Sequence, residues 1–212
     1  MWVRTNKAKG QFILSGSVRF TSKANIRESL TERIISLELL AFTIAEAARL
    51  PLPNICEQLL QINSTTELDF LKASKTTEKT FKRYLEQGGL PGISLFRNIQ
   101  IRNEKFSSHL ETLLNRDIRQ IYPTTLLYDS LQDLLVYLAN RQGRCFKWTE
   151  AARASQISRV TLKRVIFAFE ALFLIRVVSV EGKGKPTIFL EDQGMASKFP
   201  LFSSPQRIGW VL

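Results

Sequence analysis

The chain has 212 residues, 44% of them hydrophobic and 23% charged, with a mean hydropathy of −0.06, which suits one large or two small folded domains and excludes a disordered chain. Thirty Lys and Arg against nineteen Asp and Glu give a net charge of +11, favouring a polyanionic partner such as nucleic acid, a nucleotide or an acidic membrane surface. Cys56 and Cys145 lie far apart without a CxxC or a histidine at ligand spacing, which argues against zinc and a disulfide framework, while the polar opening MWVRTNKAKG and the lack of any apolar run near the length of a membrane span point to a cytoplasmic protein.

Phe12 to Leu14 is a short apolar run that stops at Ser15, Gly16 and Ser17. A buried strand ending in hydroxyls and a glycine is expected at the carboxyl edge of a parallel sheet, where α/β proteins bind ligands. A strand that merely ends in a turn is the plainer reading. Asn25 to Leu40 begins with helix formers, Ile26, Leu30 and Ile34 falling on one face, and then alternates. This predicts a short helix running into a buried strand at about Ile35 to Leu39. Ala41 to Leu50 is expected to be helical, capped by Thr43 with Glu46 completing a capping box, and closed by Pro51 and Pro53.

Asn63 to Gln87 is polar and helical in character, and Gly88-Gly89 reads as its stop at a left-handed position. Leu90-Pro91-Gly92 is expected to turn. A further helix is predicted from Ile99 to Arg119 with Phe106, Leu110, Leu113 and Leu114 inward, broken at Tyr122-Pro123-Thr124. The last third predicts helices at Leu126 to Ala139, Thr149 to Ala154 and Val160 to Phe173, with Ser158 as N-cap of the last. Strands are expected at Leu174 to Val180 and Thr187 to Leu190, around the turn Glu181 to Pro186. That order is the order of a winged helix-turn-helix. The domains are expected at 1–50, 51–122 and 123–195, with a tail at 196–212. The fold class is mainly α with a small β component.

Between Arg141 and Lys185 ten basic residues face three acids. Arg159, Lys163 and Arg164 on the second helix of the motif, with Lys183 and Lys185 at the wing tip, are the candidates for gripping phosphates; a solvated basic face on a protein-interaction module is the alternative. Arg33 is placed to reach a phosphate or to pair with Glu28 or Glu32. His109, the single histidine, has no nucleophile or carboxylate at telling spacing and is not a catalytic candidate. Glu191-Asp192 after an apolar strand mimics a magnesium-holding pair, but its place after the hairpin marks a strand end. Gly-Lys occurs only at Gly182-Lys183 and Gly184-Lys185, neither followed by Ser or Thr, so these residues contain no phosphate-binding loop.

Together, QFILSGS (Gln11 to Ser17), ESLTERI (Glu28 to Ile34), AFTIAEA (Ala41 to Ala47), YLEQGGLPGI (Tyr84 to Ile93), RDI (Arg116 to Ile118), ISRVTLKR…FEALFLIR (Ile157 to Arg176) and TIFLEDQGM (Thr187 to Met195) resemble AAA+ type P-loop ATPases that carry a winged helix and a C-terminal domain of unknown function. The resemblance implies that residues 1–50 are the remnant of the α/β nucleotide-binding core and that a helical lid follows. It puts Ser15, Gly16 and Ser17 at the sensor-1 strand and makes Arg33 the arginine of a SLAGR-like motif, with Thr31-Glu32 replacing Ala-Gly. It implies ATP and magnesium as cofactors of the parent family, and none for this chain alone, since the Walker A and Walker B segments are missing. A truncated or split ATPase is therefore expected, inactive by itself, with a protein chain supplying the other half or nucleic acid as partner, and no small-molecule substrate. A non-catalytic interaction scaffold, pairing through the sheet edge near Phe12 to Leu14, is the third reading.

Overall fold

Capping residues and the 3.6-residue apolar spacing account for most of the helices. The computed structural model describes residues 13, 15–19, 35–50, 60, 77–179 and 184–199. Helix α1 is Ile44–Ala47, shorter than the predicted Ala41 to Leu50 but with the expected reciprocal cap: Thr43 N donates to Glu46 Oε2 at 2.8 Å and Glu46 N to Thr43 Oγ1 at 3.3 Å. Helix α2, Glu78–Gln87, starts at Thr77 and stops at Gly88. Gly88 has φ +68° and ψ −169°, a positive-φ conformation open to glycine but not the left-handed helical one expected. Instead of a simple turn, Pro91–Ser94 forms the short helix α3, with proline in the first turn, where its missing N–H costs nothing.

The helix predicted from Ile99 to Arg119 is three joined pieces: α4 Ile99–Thr112, a π-helical turn Leu113–Asp117 and α5 Ile118–Ile121. Leu113 and Leu114 of the π turn are buried together with Phe106, Leu110 and Ile118. Helices α6 Tyr128–Ala139, α7 Trp148–Ser155 and α8 Arg159–Ala171 follow. Gln156, at φ +56° and ψ 24°, reverses the chain between α7 and α8. Strands β1 Ile175–Val178 and β2 Thr187–Leu190 pair antiparallel, Ile175 opposite Leu190 and Val178 opposite Thr187. Cys145 adds a single bridge to Thr187, and Phe146 N donates to Pro186 O at 2.8 Å. Helix α9, Gln193–Ala196, follows β2 directly.

One core joins the elements from α3 to α9. Phe106 and Ile118 meet Leu131, Leu134, Leu135 and Leu138 of α6, Leu162, Val165 and Phe169 of α8, Leu174 and Ile175 of the hairpin, and Met195 of α9. The described part is mainly helical with one two-stranded sheet.

The buried strand expected at Ile35 to Leu39 is not formed. Residues 35–40 have no regular structure and are exposed. A buried strand needs neighbours for its N–H and C=O groups and cover on both faces, and among the described residues neither lies beside this run. Of the expected strand Phe12 to Leu14, only Ile13 is described; it is solvent-exposed and outside any strand. The helix expected from Asn25, the greater part of the 51–76 region and the tail beyond residue 199 lie outside the described residues.

Candidate nucleic-acid interface

Ser158 creates the start of α8: its Oγ accepts from Thr161 N at 3.2 Å, and the two hydroxyls lie 2.9 Å apart. The helix then sorts its side chains by face. Leu162, Val165, Ile166 and Phe169 are buried. Arg159, Val160, Lys163, Arg164 and Phe167 are exposed, Val160 at 71% and Phe167 at 54%. Val160, Lys163, Arg164 and Phe167 stand at i, i+3, i+4 and i+7, which makes one continuous stripe. The Arg164 guanidinium lies 5.8 Å from the centre of the Tyr122 ring, a cation–π contact that ties the stripe to the connector between α5 and α6. A shallow depression lined by Arg119, Tyr122, Thr124, Thr125, Leu126 and Thr161 lies beside the start of α8.

The nearby acids are committed elsewhere. Glu150 pairs with Lys147 at 2.8 Å and Arg141 at 2.9 Å, and the Lys147 hydrogen bond, foremost among several contacts, holds its carboxyl below the usual range. Glu170 faces Arg19 and accepts from Val177 N at 3.1 Å. Among the described residues no ion pair engages Arg159, Lys163, Arg164 or Lys185. Cations left unpaired on one helix face are what a phosphate backbone requires. Three of the five predicted phosphate contacts, Arg159, Lys163 and Arg164, are thus brought together; Lys185 is exposed just before β2, and Lys183 lies outside the described residues. Ser15, Gly16 and Ser17 are exposed and belong to no strand, and Arg33 lies outside the described residues.

Two junctions fix this scaffold. Arg19 is one: its Nη2 donates to Glu191 Oε1 at 2.7 Å, its Nη1 to Glu170 O at 2.7 Å and its Nε to Glu38 Oε1 at 3.0 Å. Its guanidinium lies 4.5 Å from the centre of the Phe173 ring, and Phe173 holds a positive φ of 56° at the turn from α8 to β1. Arg176 completes the group, 2.9 Å from Glu191 Oε1. Asp192 is the other. Its Oδ2 accepts from Gly89 N at 2.6 Å and Leu90 N at 3.0 Å, and its Oδ1 from Met195 N at 3.2 Å. Burial pushes the Asp192 carboxyl above its ordinary value despite these backbone bonds. The approach is close enough that a Cβ on Gly88 would lie 2.1 Å from Asp192 Oδ1, and one on Gly194 would lie 2.6 Å from Gly88 N.

Residues 78–199 match a family described as a domain of unknown function, DUF8612. The chain belongs to this family. The DUF8612 region runs from the start of α2 past α9, so it contains both the α8 face and the Asp192 junction. No curated protein and no solved structure matches the chain. Among the described residues no group of His, Cys, Asp and Glu is arranged to hold a metal, and no helix is long and apolar enough to cross a membrane.

Sequence reasoning missed Arg19 and Asp192 as organising residues. Arg19 finds its partners 19, 151 and 172 positions away, separations that carry no local signature. For Asp192 a signal was present: an acid just ahead of Gln193-Gly194-Met195 is a helix N-cap pattern, and the paired glycines at 88 and 89 mark a close backbone approach.

Proposed function

We propose that this chain is a winged helix-turn-helix module that binds nucleic acid through α8. The order α6, the Cys145 bridge, α7, α8, β1 and β2 supports that reading, because a short edge segment joining a two-stranded wing after a three-helix unit is its usual layout. One observation carries the function: the exposed, Ser158-capped face on which Arg159, Lys163 and Arg164 stand within two turns with no acid paired to them among the described residues. Lys185 extends that charge toward the hairpin. The test is fluorescence anisotropy with labelled duplex and single-stranded DNA over a salt series. Affinity should fall steeply with salt, and Arg159→Ala with Lys163→Ala should weaken binding by about tenfold and reduce the log–log salt slope by roughly 2. No binding to either form, or binding indifferent to salt, overturns the proposal.

A second reading places the module in an AAA+ type ATPase. Two of the segments that carry the resemblance, YLEQGGLPGI and TIFLEDQGM, meet at the Asp192 junction, and this supports it. On that reading Ser15, Gly16, Ser17 and Arg33 are remnants of the nucleotide site, and the chain does not hydrolyse ATP by itself. Isothermal titration with magnesium and ATP should give no heat of binding; micromolar affinity for the isolated chain would refute the inactive assignment.

A further inference from the structure

Ile35, Leu37 and Leu39 alternate along a non-helical run and are 88%, 85% and 95% exposed; Leu40 is 53% exposed. Among the described residues no backbone hydrogen bond engages residues 35–41; the first beyond them is Phe42 N to Gly89 O at 2.8 Å. Glu38, between the apolar positions, is held to the body instead: Oε1 meets Arg19 Nε at 3.0 Å and Oε2 lies 3.6 Å from Arg176 Nη2. The run is therefore anchored through one even position while its odd positions offer an apolar row and its main chain offers free donors and acceptors. Those are the two requirements for adding a strand.

We infer that this run pairs antiparallel with the same run of a second copy, centred on Leu37. In that register Ile35 faces Leu39 and Leu37 faces its own counterpart, so apolar side chains meet on one surface. On the other surface Ser36 faces Glu38. Shifting the centre to Glu38 would set two carboxylates directly opposite, which is unfavourable, so the sequence of the run selects the Leu37 centre. The pairing is isologous, as a two-fold dimer demands. Its size fixes its strength. Covering Ile35, Leu37 and Leu39 removes at most about 100 Å² of apolar surface per side chain, or roughly 600 Å² over both copies before the main chain is counted. That is well below the roughly 1,200–2,000 Å² of stable interfaces, so the dimer is weak and depends on concentration. The inference is independent of nucleic-acid binding, since α8 takes no part in it.

Sedimentation equilibrium of the full chain tests it. At about 100 µM the mass should approach twice 24.3 kDa, and on dilution toward about 1 µM it should fall to the monomer, as expected of a weak interface. Leu37→Glu places two carboxylates face to face and should weaken association by at least about tenfold, with an unchanged circular dichroism spectrum, because the side chain is exposed in the monomer. The register has its own assay, in a background with Cys56 and Cys145 replaced by Ser. Leu37→Cys alone should form an inter-chain disulfide under mild oxidation, Ile35→Cys alone should not, and a mixture of Ile35→Cys with Leu39→Cys chains should. A wild-type chain that stays monomeric at about 100 µM, beyond the range of a functional weak dimer, overturns the inference, and so does equal cross-linking of Ile35→Cys and Leu37→Cys alone.

Discussion

Replacing Asp192 should unfold the junction between the two ends of the DUF8612 region. The carboxylate is the partner of three main-chain donors, Gly89 N at 2.6 Å, Leu90 N at 3.0 Å and Met195 N at 3.2 Å. In Asp192→Ala all three lose it. A buried N–H left without an acceptor costs about 1–3 kcal/mol, and removing a buried carboxylate recovers part of that by ending its desolvation. The balance is a loss of about 3 kcal/mol, which for a domain of this size lowers the melting temperature by roughly 10 °C. Asp192→Asn should lie between, because one acceptor oxygen survives while an amide NH₂ is set against N–H donors. The assay is thermal unfolding by circular dichroism, with urea midpoints as a check. A melting temperature for Asp192→Ala within about 2 °C of wild type, which at this scale is well under 1 kcal/mol, would refute the claim that these bonds hold α2 to α9.

Gly194→Ala should destabilise by about 1–3 kcal/mol, reversing the gain usually expected of alanine in a helix, since its Cβ would meet Gly88 N at 2.6 Å and Gln87 O at 2.7 Å; an unchanged urea midpoint would contradict the packing. Arg19→Met should cost about 2 kcal/mol, because it leaves Glu191, Glu170 and Glu38 with fewer cationic partners, and raised salt should narrow the difference from wild type. His109 gives a pH dependence of known sign. Burial lowers its imidazole below the ordinary value, so the folded chain binds the proton less readily than the unfolded one. The stability this supplies is fully present above the ordinary histidine value and is lost as pH falls toward the lowered one. Urea midpoints between about pH 7.5 and 5.5 should therefore decline more in wild type than in His109→Gln, and parallel profiles would exclude the effect.

Local physics made much of the helical half legible. The cap residues Thr43 and Ser158, the apolar spacing of Phe106, Leu110, Leu113 and Leu114, and the break at Tyr122-Pro123 act over a few residues, and each governs the structure where the sequence places it. The β-branched content at 174–180 and the run at 187–190, either side of a turn, likewise yield the hairpin, its first strand confined to Ile175–Val178. Strand formation at 35–39 does not follow from its equally good pattern, because alternation specifies only which side chains share a face. A strand also needs a neighbour, and that neighbour is a tertiary fact.

The sequence by itself determined which faces of α4, α6 and α8 are apolar and where the positive charge accumulates, since both depend only on residue type and helical period. Tertiary structure alone decided that Arg19 joins Glu38, Glu170 and Glu191, that Asp192 closes on Gly89 and Leu90, and that Arg164 leans on Tyr122. These contacts connect residues 19 to 172 positions apart. Their geometry is fixed only once the common core has brought the elements together.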